Sequence, residues 1–178
     1  MTLKSNETRS AVEVGGNVST PMAPNLLKIK TVLVPIDFSE CSGKAVKYAV
    51  AFAKTFGAEI ALVHVTDPYI PSSEMVTVDI AALKKEMIDA AEKELKTVCD
   101  ETTTAVPSKA ILRVGRPFHE VIEVANELKP DLIIVGTHGR TGLSHALLGS
   151  TAERIVRHAN CPVLVLRENE ADFVDTDS

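Results

Sequence analysis

A glycine-rich segment that ends in two small hydroxyl residues carries the residue types best suited to binding an anion. It reads Gly136-Thr-His-Gly139, then nine residues, then Gly149-Ser150-Thr151. Glycines let the backbone approach a ligand where a Cβ would collide, and the free amides at the start of a helix favour a phosphate. The segment therefore predicts a phosphate-binding turn, and a nucleotide is the ligand class that it indicates.

This segment lies between a predicted strand and a predicted helix, in a chain that alternates the two. Continuous apolar runs predict five strands, at residues 31–36, 59–65, 109–114, 131–135 and 163–166. Helical periods predict helices between Ser39 and Gly57, over about residues 79–101, from Pro117 to Lys129 and from Ser150 to Ala159. Such alternation predicts an α/β fold: a five-stranded parallel open sheet with helices on both faces.

Local signals refine three of these helices. Ser39 is expected to cap the first helix, and Ser150-Thr-Ala-Glu153 has the pattern of a capping box at the start of the fourth. If Ser150 also contacts a ligand, the two uses compete for one oxygen. The second helix is expected to place one apolar stripe on a single face, formed by Ile80, Leu83, Met87, Ala90 or Ala91, Leu95 and Val98.

Composition and charge divide the 178 residues into three parts. Residues 1–28 are polar and lack a period, which predicts a flexible extension, and residues 29–167 form the predicted domain. Residues 168–178 hold five acidic side chains and no Lys or Arg, so they account for the whole net charge of −5 and predict a disordered tail. Residues 1–167 carry no net charge, so electrostatics does not favour binding to nucleic acid.

Several other classes of protein find no support in the sequence. The longest apolar runs are far shorter than the roughly 18 residues of a membrane span, so we expect a cytoplasmic protein with no membrane partner. Three scattered cysteines predict reduced structural thiols. No spacing of His and Cys is typical of a zinc site, so no metal ligand is assigned. His64 lies inside an apolar strand and is expected to be a hydrogen-bonded packing residue.

Four stretches of this chain resemble the universal stress protein family: Val-Pro-Ile-Asp-Phe-Ser from residue 34, Val-Gly-Thr-His-Gly-Arg-Thr-Gly from 135, Leu-Leu-Gly-Ser-Thr-Ala-Glu from 147 and Asn-Cys-Pro-Val-Leu-Val from 160. The spacing G-x2-G-x9-G-[ST] is similar to that of the family's ATP-binding branch. The resemblance covers about residues 29–167 and implies a Rossmann-like sheet of the adenine nucleotide alpha hydrolase type. It also implies a homodimer through the last strand, Val163–Leu166.

The resemblance implies ATP, together with Mg²⁺, as the cofactor. Asp37 would accept hydrogen bonds from the ribose hydroxyls, and Pro35, Ile36 and Val65 would line the adenine, with main-chain groups of Val65 at its edge. The phosphates would lie on Gly136, His138, Gly139, Arg140, Gly149, Ser150 and Thr151. Two of these residues also have an alternative interpretation without a ligand: Asp37 as a solvated residue near a helix start, and Arg140 as an exposed loop arginine. A Cβ at position 149 is expected to exclude the phosphates without disturbing the fold.

Three functions remain open at this point. The first is a cytoplasmic stress-response regulator in which ATP is a conformational ligand, acting on an unidentified protein partner. The second is a slow ATP hydrolase that uses the same site, with His138 or another local base. The third is a protein-interaction module without nucleotide, whose glycines are structural. The chain lacks a P-loop lysine motif and a Gly-x-Ser-x-Gly nucleophile motif, so no catalytic residue is assigned.

Overall fold

Five strands and four helices alternate along the described part of the chain in the predicted order. A computed structural model describes residues 27–67, 79–137, 149–167 and Val174. The elements are β1 (Thr31–Ile36), α1 (Glu40–Phe56), β2 (Glu59–Thr66), α2 (Ile80–Thr103), β3 (Ser108–Val114), α3 (Pro117–Leu128), β4 (Leu132–Gly136), α4 (Ser150–His158) and β5 (Val163–Leu166).

The strands form one sheet with the order β3-β2-β1-β4-β5, and every pair in it is parallel. The predicted five-stranded parallel sheet is therefore confirmed. The strand order reverses at β1, whose neighbours are β2 and β4. In open α/β sheets, ligands bind at the carboxyl ends of the strands where such a reversal occurs. The fold therefore places Asp37, which follows β1, beside Gly136 at the end of β4.

Helices cover both faces of the sheet, as the apolar strands predict. On one face, α1 and α2 bury Tyr48, Ala49 and Leu95 against the strands. On the other face, α3 and α4 bury Val124 and Ile155. Strand residues alternate between these two cores, so the sheet is apolar on both sides. Val174 also packs against the α1–α2 core.

The ends of α1 follow the sequence signals. The Oγ of Ser39 accepts a hydrogen bond from the amide of Ser42 at 3.2 Å, which confirms the predicted cap. At the other end, Gly57 has a φ of 68°, a left-handed conformation that favours glycine and ends the helix.

The predicted stripe of α2 is buried only over the second half of the helix. Ile80, Leu83 and Met87 are exposed at 43%, 37% and 40%, although they share the helical period of the buried residues. The buried positions lie later, at Ala91, Leu95, Cys99 and Thr102. Periodicity places residues on one face of a helix, but it does not say how far the sheet extends beneath that face. No helix among the described residues is long and apolar enough to cross a membrane.

The three cysteines are free thiols, as the sequence predicts. Cys41 and Cys99 are buried, and Cys161 is half-buried after α4. Burial raises the pKa of the Cys161 thiol above its ordinary value, and the nearby charge of Asp131 raises it further. A hydrogen bond involving the backbone of Ile133 lowers the pKa in part. The fold therefore favours the neutral thiol over the thiolate at this position.

The raised pKa of Cys161 predicts a pH-dependent contribution to stability. The native state holds the proton more tightly than the unfolded chain, so the contribution is complete below the ordinary pKa of 9.0 and is lost as pH rises through the native pKa. We expect wild type to lose unfolding free energy relative to Cys161→Ser, both measured by urea titration, as pH rises above the ordinary thiol pKa of 9.0. A difference that stays constant as pH rises would contradict the assignment.

Candidate functional site

A cavity of about 220 Å³ opens at the carboxyl ends of β1, β2 and β4, against the start of α4. Eight of the eleven residues predicted to bind a nucleotide line it: Pro35, Ile36, Asp37, Val65, Gly136, Gly149, Ser150 and Thr151. The other three, His138, Gly139 and Arg140, lie outside the described residues. The strand order brings the eight together from three separate parts of the sequence, residues 35–37, residue 65 and residues 136–151.

Asp37 is fixed by the turn that joins β1 to α1. Its Oδ1 accepts hydrogen bonds from the amide and the hydroxyl of Ser39, at 3.1 and 2.6 Å. Ser39 in turn caps α1, so the position of this carboxylate depends on the helix start. The residue between them, Phe38, has a φ of 64°, which is uncommon for a side chain other than glycine. The carboxylate is thus held at the cavity wall by a tight local turn.

His64 supports this turn from β2. Its Nδ1 lies 2.8 Å from the carbonyl oxygen of Ile36, and since that oxygen can only accept, Nδ1 carries the proton and donates. The imidazole also packs on the ring of Phe38, with centroids 4.4 Å apart. The sequence correctly predicted a satisfied packing residue. The sequence does not show that His64 contacts Ile36 and Phe38, the two neighbours of Asp37, because these contacts depend on the register of β1 and β2.

Thr137 joins the end of β4 to the start of α4. Its amide donates to the carbonyl of Leu166 at 2.8 Å, and its own carbonyl accepts from the amide of Gly149 at the same distance. The side chain of Thr137 is buried, with 2% exposed. The two ends of residues 138–148 are therefore connected by one hydrogen bond. Thr137 is not among the residues predicted to form the site. The feature of the sequence that points to it is its position between Gly136 and Gly139 of the motif.

The glycines at both ends of this connection are required by packing inside the protein. A Cβ on Gly136 would lie 2.7 Å from the Sγ of Cys41, and one on Gly149 would lie 2.5 Å from the carbonyl oxygen of Thr137. Neither glycine has a positive φ. The expectation that a Cβ at position 149 leaves the fold intact is therefore wrong. It would displace backbone that closes the β4–α4 connection.

The predicted capping box of α4 is also wrong. Gly149 is the N-cap, no side chain caps the helix, and Glu153 pairs with Arg157 instead of returning to the helix start. Ser150 is the first helical residue, so its hydroxyl does not serve as a cap. Within the described residues, the amides of Ser150, Thr151 and Ala152 meet no hydrogen-bond acceptor.

These three amides line the cavity and carry the positive end of the α4 dipole, which is the arrangement that binds a phosphate or a carboxylate. Pro35, Val63 and Val65 add apolar surface to the lining of the cavity, and Asp37 adds a carboxylate. Among the described residues, no group of three His, Cys, Asp or Glu side chains is arranged to hold a metal ion. Apolar surface, a carboxylate acceptor and free amides together fit a ligand with an apolar part, hydroxyl groups and an anionic end.

The packing of Gly149 predicts a stability effect with a matched control. Gly149→Ala should lower the unfolding free energy by about 1–3 kcal/mol, because the new Cβ collides with a backbone oxygen. Gly43→Ala inside α1 meets no atom within 4 Å and should raise stability by up to about 1 kcal/mol. Thermal and urea unfolding of both variants measure this difference. Equal stabilities for the two alanine variants would show that the β4–α4 connection tolerates the side chain.

Comparison with known proteins places this geometry in a family. A model described as the universal stress protein family matches residues 28–167. The chain is 37% identical over 142 residues to universal stress protein MJ0531 of Methanocaldococcus jannaschii, covering 78% of this chain and 82% of that protein. It is 32% identical over 158 residues to universal stress protein MJ0577 of the same organism, covering 80% of this chain and 97% of the relative.

Solved structures agree with the sequence matches. The structure of MJ0577 aligns with a TM-score of 0.71 at 31% identity, covering 82% of this chain and 100% of its own. A universal stress protein crystallised in complex with cAMP aligns with a TM-score of 0.60 at 26% identity, covering 79% and 98%. The matched region spans all nine elements described above. The chain belongs to the universal stress protein family.

Proposed function

We propose that this protein is a cytoplasmic stress-response regulator that binds an adenine nucleotide, ATP in the first instance, as a conformational ligand. The observation that carries the proposal is the uncapped start of α4, which lines a cavity at the switch point of the sheet beside the Asp37 carboxylate. A relative of known structure binds cAMP, which is an adenine nucleotide. The two observations support the same class of ligand.

The nucleoside half of the ligand fits the wall formed by β1 and β2. Pro35, Ile36 and Val65 offer apolar surface for a purine ring, and the main-chain groups of Val65 stand at the end of β2. Asp37 supplies an acceptor for ribose hydroxyls, and its Oδ1 is already oriented by Ser39. The proposed pairing is a carboxylate with hydroxyl donors, which is a charge-assisted hydrogen bond.

The phosphate half fits the start of α4. The amides and hydroxyls of Ser150 and Thr151 are placed to donate to phosphate oxygens, and Gly136 lines the same cavity. His138, Gly139 and Arg140 remain predicted phosphate contacts. Mg²⁺ bound to the phosphates would supply charge neutralisation. Within the described part, the residues at this end are hydrogen-bond donors, which suits binding of the phosphates.

A ligand at this place acts on the connection that holds residues 138–148. Both ends of that segment meet at the hydrogen bond between Gly149 and Thr137, and both residues line the cavity. Phosphate contacts at α4 therefore bias the arrangement of the segment, and through it the surface that a partner protein meets. A ligand shifts such an equilibrium by the difference in its affinity for the two states.

The binding proposal is tested by removing the Asp37 charge without removing its turn. Asp37→Asn keeps an Oδ1 acceptor for Ser39 but replaces the other oxygen with a donor, so ATP affinity by calorimetry should fall about tenfold or more. Asp100→Asn is the control, since it removes an exposed carboxylate that pairs with Lys96 on α2. A folded wild type without nucleotide affinity, or an Asp37→Asn variant that binds like wild type, would contradict the proposal.

We also propose a homodimer through β5. This strand pairs with β4, and no other described strand covers its second edge. The carbonyl of Pro162 accepts from the amide of Ile133 in β4, and that of Leu166 accepts from the amide of Thr137 just after β4. The alternation of a parallel pair therefore directs the backbone groups of Val163 and Val165 to the uncovered edge. Val163, Leu164 and Val165 are half-buried in the single chain. A second copy would pair this edge and cover these side chains.

Proline at position 165 tests this interface. Val165→Pro removes an amide that faces the uncovered edge and keeps the hydrogen bonds between β4 and β5, so the fold should survive while dimerisation weakens. Light scattering after size exclusion should give twice the 19.1 kDa chain mass for wild type and the single-chain mass for the variant. A monomeric wild type, or a variant that is folded and still dimeric, would exclude pairing through this strand.

A further inference from the structure

A second cavity adjoins the nucleotide cavity across the start of α4. It measures about 320 Å³ and shares Pro117, Ser150 and Thr151 with the first. The rest of its lining includes Arg116, which precedes α3, Arg154 from α4, Asp67 and His119. We call this cavity the basic recess. Because the two cavities share the α4 start, a ligand held there can extend from one into the other.

The two arginines of the basic recess are candidates for binding an anion, because the described part of the chain supplies neither of them with an acidic partner. Neither guanidinium has a carboxylate within 4.0 Å among the described residues. By contrast, Arg157 on the same helix pairs with Glu153, and Arg113 pairs with Glu127. The guanidinium of Arg154 also lies over the ring of Phe118, 5.6 Å from its centroid, which restricts its position.

The charge balance of the basic recess favours a phosphate. Among the described residues, the lining contains two arginines and one carboxylate, that of Asp67, and the shared α4 start adds the positive end of a helix dipole. A guanidinium presents a planar fork of donors that matches phosphate oxygens in pairs. His119 adds a ring nitrogen to the same wall. Asp67 reduces the positive potential but does not cancel it.

We propose that the basic recess holds the terminal phosphates of a nucleoside triphosphate, and that Arg116 and Arg154 thereby set a preference for ATP over AMP. The proposal rests on the adenine-nucleotide site proposed above. The phosphate attached to the ribose lies on the amides of α4, and the phosphates beyond it pass Ser150 and Thr151 into the basic recess. AMP ends at the α4 amides, so its binding does not depend on either arginine.

The test compares two ligands in four proteins. Calorimetry with ATP and with AMP, both with Mg²⁺, is carried out on wild type, Arg116→Ala, Arg154→Ala and Arg157→Ala. The last variant removes the same charge from α4 outside the recess and is the matched control. Wild type and Arg157→Ala should bind ATP more tightly than AMP. Arg116→Ala and Arg154→Ala should each lose about tenfold in ATP affinity and keep AMP affinity within about twofold.

The outcomes separate this proposal from the one it rests on. If ATP and AMP bind wild type equally, or if neither arginine variant changes their ratio, the basic recess does not hold phosphates and the adenine-nucleotide site stands. If Arg157→Ala lowers the ratio of ATP affinity to AMP affinity as much as the other two variants do, the positive charge of α4 as a whole explains the preference. The assignment to the recess is then overturned. If folded wild type binds neither ligand, both proposals fail. Thermal unfolding of each variant confirms that it is folded.

Discussion

The hydrogen bond from the amide of Gly149 to the carbonyl of Thr137 is the interaction on which the candidate site depends. It fixes the start of α4 against the end of β4, and it leaves no room for a Cβ on Gly149. Leu166 at the end of β5 holds Thr137 from the other side, so three elements meet at one buried residue. With α4 held there and uncapped, its first free amides line the cavity instead of meeting a side chain.

The opposite wall depends on a second set of local bonds. His64 on β2 donates to Ile36 and packs on Phe38, while Asp37 between them is bonded to Ser39 at the start of α1. The carboxylate therefore takes its position from three elements and from a residue with a positive φ. A cavity between two such fixed walls has little freedom to rearrange its donors, which reduces the entropic cost of binding a ligand.

Much of this could be predicted from the sequence, because apolar runs and helical periods report burial directly. The alternation of strands and helices predicts the parallel sheet, and the glycines at positions 136 and 149 predict the connection from strand to helix. What could not be predicted depends on contacts between distant residues. The N-cap of α4 is Gly149, whose amide donates to the carbonyl of Thr137, and Ile80, Leu83 and Met87 on the first half of α2 are exposed. The hydrogen bond between His64 and Ile36 likewise follows from strand register, and the placement of Arg116 and Arg154 around one cavity follows from helix packing.

The central claim is that the first amides of α4 bind the phosphates of an adenine nucleotide at the switch point of the sheet. The most direct test is a titration of ¹⁵N-labelled protein with ATP, followed by amide chemical shifts. The account predicts the largest shifts at residues 149–152, with further shifts at residues 36–39 and 136–137, all saturating at one affinity. Shifts confined to another surface, or unchanged amides at 149–152 while ATP binds, would contradict it.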